Sequence, residues 1–271
     1  MGPATAKIRL PHRGWLFDLD GTVYRGEHLI PGAAEVIGAL RASGRRVAFL
    51  SNKPIQTRAD YADKLTRLGI PTSAEEVVNS SLVLGRYLAR LDPGAACFVI
   101  GEPPLVRELE AHGLKVHDDA NVGWVVIAFD RTFTYAKLNT ALQAVKRGAR
   151  LIATNPDRTC PVGDGEIPDC AGMIAAVEAV TGKGVELIVG KPSPLILEMA
   201  LEVLGLPASD TVIVGDRIET DVTMGKALGL RTVLVLSGVT TGDDRRIAEL
   251  KPDYVLASIR DLLSPEGAPT L

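Results

Sequence analysis

Short apolar runs rich in β-branched and aromatic residues alternate along this chain with longer stretches whose apolar residues recur at helical spacing. Trp15-Leu16-Phe17, Val47-Ala48-Phe49-Leu50, Val77-Val78, Thr211-Val212-Ile213-Val214-Gly215 and the runs at 231–236 and 253–256 have the length and composition of buried strands. Between them, 33–43, 57–68 and 219–228 read as helices. In the second of these Tyr61, Leu65 and Leu68 share one face and Gly69 supplies the stop, while Gly229 ends the third. After Lys191, Ser193 and Pro194 have the form of an N-cap and first helical residue, followed by Leu195, Ile196, Met199 and Val203. Strands that alternate with helices predict an α/β fold with a parallel sheet covered on both faces.

A second series interrupts the first. Helix 81–90, strand 96–100, helix 103–112, strand 122–128, helix 134–146, strand 150–154 and a helix near 170–181 precede the apolar run Glu186–Gly190. That span is too long for one crossover and alternates enough to form an α/β domain of its own. The expected organisation is a Rossmann-like core of residues 1–81 and 185–271 with an α/β domain inserted at 82–184. Within the insert, Asn155 to Asp169 reads as a long loop holding Pro, Gly and charge, and such loops are commonly functional. The Pro- and Gly-containing tail from Ser264 to Leu271 reads as a frayed end.

Composition narrows the classes. With 271 residues and 46 % hydrophobic content the chain can build a sizeable core. A net charge of −3 and the lack of any Lys/Arg run argue against a nucleic-acid partner. No apolar stretch approaches the ~20 residues that span a bilayer, and no secretory leader is visible. The three cysteines, Cys97, Cys160 and Cys170, form no C-x-x-C and fit a reducing cytoplasm better than a disulfide framework.

The chemistry is concentrated at strand ends. Asp18-Leu19-Asp20-Gly21-Thr22 follows directly on the first strand, and two carboxylates placed there are costly unless a metal or a proton compensates them. Such a pair suits in-line attack on phosphorus, with one carboxylate as nucleophile, the other as general acid/base and Mg²⁺ screening both. The same segment also suits a strand end followed by an Asp-rich turn. Three further runs end similarly, in Ser51-Asn52-Lys53, in Lys191-Pro192, and in Asp216 with Asp221 five residues on. Each has an ordinary explanation: a strand-end hydroxyl, a solvated lysine, a turn or cap aspartate, a charge favoured by a helix dipole. Ligands of open α/β sheets bind at the carboxyl ends of strands, so all four segments can meet at one site.

Taken in this order, the segments resemble the motifs of the haloacid dehalogenase superfamily, in its NagD-like branch that includes p-nitrophenylphosphatase-type enzymes. Asp18-x-Asp20-Gly21-Thr22 is similar to the first motif, Ser51 to the second, Lys191 to the third, and Gly215-Asp216 with Thr220-Asp221 to the fourth. Ala153-Thr154-Asn155-Pro156-Asp157 is similar to a run typical of this branch, and Gly148 to Lys191 resembles the sugar-phosphate phosphatases of bacterial arabinose operons.

The resemblance implies a phosphomonoester hydrolase working in two steps. Asp18 becomes an aspartyl phosphate, and Asp20 protonates the departing alcohol and then deprotonates the hydrolytic water. Mg²⁺ is implied on Asp18, the Asp20 carbonyl and Asp216, with Asp221 nearby, and water completes its octahedron. Ser51 and adjacent N–H groups donate to phosphoryl oxygens while Lys191 neutralises charge. The inserted domain becomes a cap that closes over the site, with Asn52, Lys53, Asn155, Asp157 and Arg158 as candidate substrate contacts. Asn155 and Asp157 equally suit plain turn stabilisation. Lys53 departs from the Asn common in relatives; it reaches a second anionic or hydroxyl-rich part of the substrate or is a surface lysine.

The expected partner is a small phosphorylated metabolite, sugar phosphates before nucleotides, glycerol phosphate, phosphoglycolate or pyridoxal phosphate, and two copies are expected to pair through the cap. A sugar-phosphate sensor retaining the pocket is the non-enzymatic alternative. Gly190-Lys191-Pro192 lacks the Ser/Thr of a P-loop, no cysteine has the Arg spacing of a thiol phosphatase, and His12, His28, His112 and His117 stand outside every motif.

Overall fold

The computed structural model describes residues 7–8, 10–162 and 165–264. The tail expected to fray lies, beyond Ser264, outside the described residues. The chain forms two compact units: one takes the N-terminal segment through Leu50, Tyr61–Val78 and the chain from Leu197 onward, and the other takes Ser51–Asp60 and Asn79–Ile196.

In chain order the strands of the two main sheets are β1 (Gly14–Asp18), β2 (Arg46–Ser51), β3 (Val77–Asn79), β4 (Ala96–Ile100), β5 (Lys115–Val116), β6 (Trp124–Ile127), β7 (Arg150–Ala153), β8 (Leu187–Ile188), β9 (Thr211–Gly215), β10 (Arg231–Val235) and β11 (Tyr254–Leu256). The first unit holds a six-stranded sheet of order β11-β10-β9-β1-β2-β3. β1 lies between β2 and β9, parallel to both, with Gly14 opposite Arg46 and Thr211. Because β1 is buried on both faces, it reads as a continuous apolar run, and Trp15, Leu16 and Phe17 are wholly inaccessible.

Successive side chains point to opposite faces. Trp15, Phe17, Phe49, Val212 and Val214 share one core cluster with Val36, Ile37 and Leu40 of α1 (Ala33–Ala42). The Trp15 and Phe17 rings stack with centroids 6.1 Å apart. On the other face the short helix Thr223–Ala227 packs so closely on Ile213 and Thr232 that only a glycine, Gly225, fits there. Helices thus cover both faces. From β1 the chain winds outward through β2 and β3, then returns at β9 and winds the other way, so the switch in strand order falls between the carboxyl ends of β1 and β9. Ligand crevices of open α/β sheets form at that point.

The second unit has a five-stranded sheet of order β8-β7-β6-β4-β5, with parallel pairing throughout. Phe98, Ile100, Val125, Ile127 and Leu151 pack on Ala141 and Ala144 of one helix (Tyr135–Lys146) and on Cys170 and Val177 of another, Cys170–Thr181. Asn79, Thr134 and Asp169 cap their helices by accepting from Leu82 N, Lys137 N and Cys170 N.

Two segments differ from expectation. Asn155–Asp169 is not a structureless loop: Thr159–Val162 and Gly165–Pro168 pair as an antiparallel hairpin, with Cys160 opposite Ile167. The helix expected over 219–228 opens with a wide π turn, Ile218–Val222, before Thr223–Ala227. The turn places the Asp221 carboxylate directly against Gly215, where any Cβ would collide with it.

A Cβ at Gly225 would lie 2.5 Å from Ile213 Cγ2 and 2.7 Å from Thr232 Cγ2. Gly225→Ala is therefore expected to destabilise the protein by about 1–3 kcal/mol through overpacking. Urea unfolding should show a lower midpoint at unchanged slope; a wild-type midpoint would show that this face has slack.

Candidate active site

Three aspartates meet in the first unit. Asp18 ends β1, Asp216 follows β9, and Asp221 lies in the π turn; all are buried, and each offers a carboxylate oxygen within 4.8 Å of the others. Like charges so close and so far from water are unfavourable without a compensating positive charge or proton. An oxygen-only, wholly carboxylate set is the donor chemistry of a hard divalent cation. It is the one cluster of this kind among the described residues.

The turn after Asp18 is built around Leu19 and Gly21. Leu19 O accepts from Val23 N at 2.9 Å, Gly21 N donates to Tyr24 O at 2.8 Å, and half-buried Asp20 forms a single bridge with Tyr24. Gly21 has φ +86°, which favours glycine, and a Cβ there would sit 2.5 Å from Asp216 Oδ2. The first motif's glycine therefore serves the fourth motif's aspartate.

Asp216 is held by a loop that sequence reasoning missed. Val239 N donates to Asp216 Oδ2 at 2.6 Å, and Thr240 N donates to Asp216 O at 3.1 Å. Gly238 lies flat on the same carboxylate, leaving no room for a side chain. Thr240 Oγ1 accepts from Ile218 N at 3.1 Å, and Ser237 Oγ donates to Gly21 O at 2.7 Å. The only local sign of this cradle was the Ser237-Gly238 pair after a strand, an ordinary turn signal. Asp221 Oδ2 in turn accepts from Arg217 N at 3.2 Å.

The other predicted residues gather in the second unit. Ser51 ends β2, and its Oγ accepts from Lys53 N at 3.2 Å. Asn52 is buried against Lys191: its Oδ1 accepts from Lys191 N at 2.7 Å, and its Nδ2 donates to Lys191 O at 3.1 Å and to Asp157 Oδ2 at 2.9 Å. Asn155 is wholly buried, donating to Asp157 Oδ2 at 2.9 Å and to Asp169 Oδ1 at 3.1 Å. Both N–H groups of each amide are thus committed within the protein. Lys191 is buried, Lys53 and Asp157 are half-buried, and Arg158 is exposed.

Burial shifts several titratable groups. Burial, reinforced by Asp20 and Asp18, raises the Tyr24 hydroxyl well above its ordinary value, so this phenol stays neutral. Burial likewise pushes the thiols of Cys97 and Cys170 up to about 12, which keeps them unreactive. Asp169 is raised above its usual range, chiefly by burial, while the Cys170 N–H, the Asn155 amide and the charge of Lys53 pull the other way.

Residues 15–115 match the profile of the haloacid dehalogenase-like hydrolase family and residues 188–262 match a HAD-hydrolase-like profile. The chain is 44 % identical over 257 residues to the sugar-phosphatase AraL of Bacillus subtilis, covering 94 % of each chain. Among solved structures it is similar to a 4-nitrophenylphosphatase from Thermotoga maritima, with TM-score 0.89 and 35 % identity over 94 % of this chain and 98 % of that one. It is also similar to NagD from E. coli K-12, with TM-score 0.84 and 32 % identity over 93 % and 98 % of the respective chains. The chain belongs to the haloacid dehalogenase-like hydrolases, in their NagD-like phosphatase branch.

Two outcomes follow from the geometry. Gly238→Ala drives a methyl into the Asp216 carboxylate and should weaken any divalent-cation binding at the cluster, read by calorimetry, by about 10–100-fold while the circular dichroism spectrum is retained. Unaltered affinity would separate the loop from the aspartate cluster. Because Asp169 holds its proton more tightly when folded, its contribution to stability is full below the unfolded value and declines as pH rises through the folded one. Asp169→Asn, which keeps an acceptor for Cys170 N, should flatten that decline in unfolding free energies measured from about pH 4 to 7; an unchanged profile would assign the decline to other groups.

Proposed function

We propose that the protein is a Mg²⁺-dependent phosphomonoester hydrolase of small phosphorylated metabolites, with sugar phosphates as the favoured class. The observation that carries this reading is the cluster of Asp18, Asp216 and Asp221 at the switch point of a parallel sheet. The kinship with the Bacillus sugar-phosphatase supports the substrate class. The family resemblance supports the roles of the remaining residues.

Asp18, Asp216 and Asp221 would hold the cation, joined by the carbonyl of Asp20. When bound, it supplies positive charge that permits an anionic ester to approach ionised carboxylates. Asp18 attacks phosphorus; a new O–P bond forms while the ester O–P bond breaks, and Asp20 gives its proton to the departing alcohol. Asp20 then takes a proton from water as that water attacks the aspartyl phosphate, releasing inorganic phosphate and restoring the Asp18 carboxylate and the protonated Asp20. Ser51 donates to a phosphoryl oxygen, and Lys191 offsets the charge that develops there. The second unit serves as the cap, where Lys53 and Arg158 face the non-phosphoryl part of the substrate. The three free, buried cysteines fit the reducing cytoplasm as its place of action.

Purified protein should release phosphate from p-nitrophenyl phosphate and from a panel of sugar phosphates in Mg²⁺ and fall silent in EDTA. Asp18→Asn should abolish turnover, and Asp20→Asn should lower it by about 10²–10⁴-fold. Near-native hydrolysis by Asp18→Asn would overturn the nucleophile assignment. Tight binding of a sugar phosphate without turnover would favour a sensor instead.

A further inference from the structure

We infer that Asn52, Asn155 and Asp157 are positioning residues rather than substrate ligands: together they form a buried strut that sets Lys191 and ties it to the base of the hairpin Thr159–Pro168. This rests on the role proposed above for Lys191.

The argument is one of hydrogen-bond capacity. Asn52 brackets the backbone of Lys191, accepting from its N–H at 2.7 Å and donating to its carbonyl at 3.1 Å. The remaining Asn52 N–H goes to Asp157 Oδ2 at 2.9 Å. Asn155 repeats the pattern one link further: its two N–H groups go to Asp157 Oδ2 at 2.9 Å and Asp169 Oδ1 at 3.1 Å, and Thr154 Oγ1 donates to its Oδ1 at 2.8 Å. A primary amide has two N–H donors, so neither has one to spare for a phosphoryl or hydroxyl oxygen. Asn155 is 0 % and Asn52 8 % exposed, which leaves a substrate no approach to Asn155.

The links form a continuous series from Lys191 through Asn52, Asp157, Asn155 and Asp169 to Cys170 N, the first residue of the helix that follows the hairpin. The neutral Asn155 amide bridges the two carboxylates, and each accepts a second bond besides, Asp157 from Asn52 and Asp169 from Cys170 N. The hairpin is pinned at both ends by the same series: Asp157 precedes it, Asp169 follows it, Asp169 N donates to Arg158 O at 3.0 Å and Ala171 N donates to Asp157 O at 3.0 Å. Gly190 shows how tight the junction is, since a Cβ there would meet Thr154 O and the Asn52 amide. Buried polar networks of this kind are rigid when fully satisfied and costly when cut. A displacement of the hairpin therefore reaches Lys191 through two shared acceptor atoms, and hairpin contacts with a leaving group become coupled to the lysine that offsets charge on the phosphoryl oxygens.

The test compares Asp157→Ala with Asp157→Asn, which keeps an acceptor oxygen. For Asp157→Ala, kcat should fall about tenfold, and by the same factor on p-nitrophenyl phosphate and on a sugar phosphate, as expected for loss of one half-buried hydrogen-bonding centre. Inhibition by inorganic phosphate should weaken in parallel, amide hydrogen exchange across 187–195 should accelerate, and Asp157→Asn should recover most of each loss. A KM increase confined to the sugar phosphate, with kcat and exchange unaltered, would make Asp157 a substrate contact and overturn the strut. If Asp157→Ala does not fold, Asn155→Ser cuts the series one link further out and reads the same quantities. The exchange measurement needs no activity, so a protein that hydrolyses no phosphate ester would refute the phosphatase reading while exchange still decides the strut.

Discussion

Repulsion among three buried carboxylates is the constraint around which the first unit is built. Asp18, Asp216 and Asp221 are brought together by elements far apart in sequence, and nothing in a hydrophobic core favours that arrangement. The sheet supplies the force. β1 and β9 are apolar on both faces, and their burial fixes the strand ends from which Asp18 and Asp216 project. Glycine supplies the space: Gly21 and Gly238 leave room for the Asp216 carboxylate, and Gly215 leaves room for that of Asp221. Burial energy spread over the sheet thus holds in place a local cluster whose like charges repel one another.

The second unit solves a different problem. It must hold Lys191, a buried cation-bearing residue, in one place. The Asn52 amide brackets the backbone of Lys191, and the Asn155 amide carries the series on to Asp169. Amides are suited to this because each can donate twice and accept as well, so Asn52 and Asn155 join backbone and carboxylate groups without adding charge. The hairpin between Asp157 and Asp169 is closed by the same groups.

Much of this was legible in the chain. The alternation of apolar strands and helical periods predicts the parallel sheets because both faces of each central strand are buried, and burial writes itself into composition. The meeting of Asp18, Asp216 and Asp221 is legible because Asp18 ends one strand of the sheet and Asp216 follows its neighbour, with Asp221 five residues further on. The cradle of Gly238, Val239 and Thr240 is not, since a backbone N–H reaching Asp216 across more than twenty residues leaves no residue-type signature. The π turn at Ile218–Val222 is invisible to a periodicity argument, because one added residue in a short helix shifts no pattern. The hairpin at 159–168 is hidden because its strands are only four residues each and Gly165–Pro168 is largely exposed, so no buried apolar alternation marks it. Asn52 and Asn155 are conspicuous as polar residues in suggestive places, but only geometry shows where their N–H groups go.

The central claim is that the aspartate cluster is strained alone and relieved by a divalent cation. Unfolding free energies of the wild-type protein and of Asp216→Asn, each measured in EDTA and in saturating Mg²⁺, test it directly. Wild-type stability should rise with Mg²⁺ by mass action. In EDTA the Asn variant should match or exceed the wild type, because one repelling charge is gone, and in Mg²⁺ that order should reverse. A wild-type protein indifferent to Mg²⁺, with the variant equally destabilised in both conditions, would contradict the account.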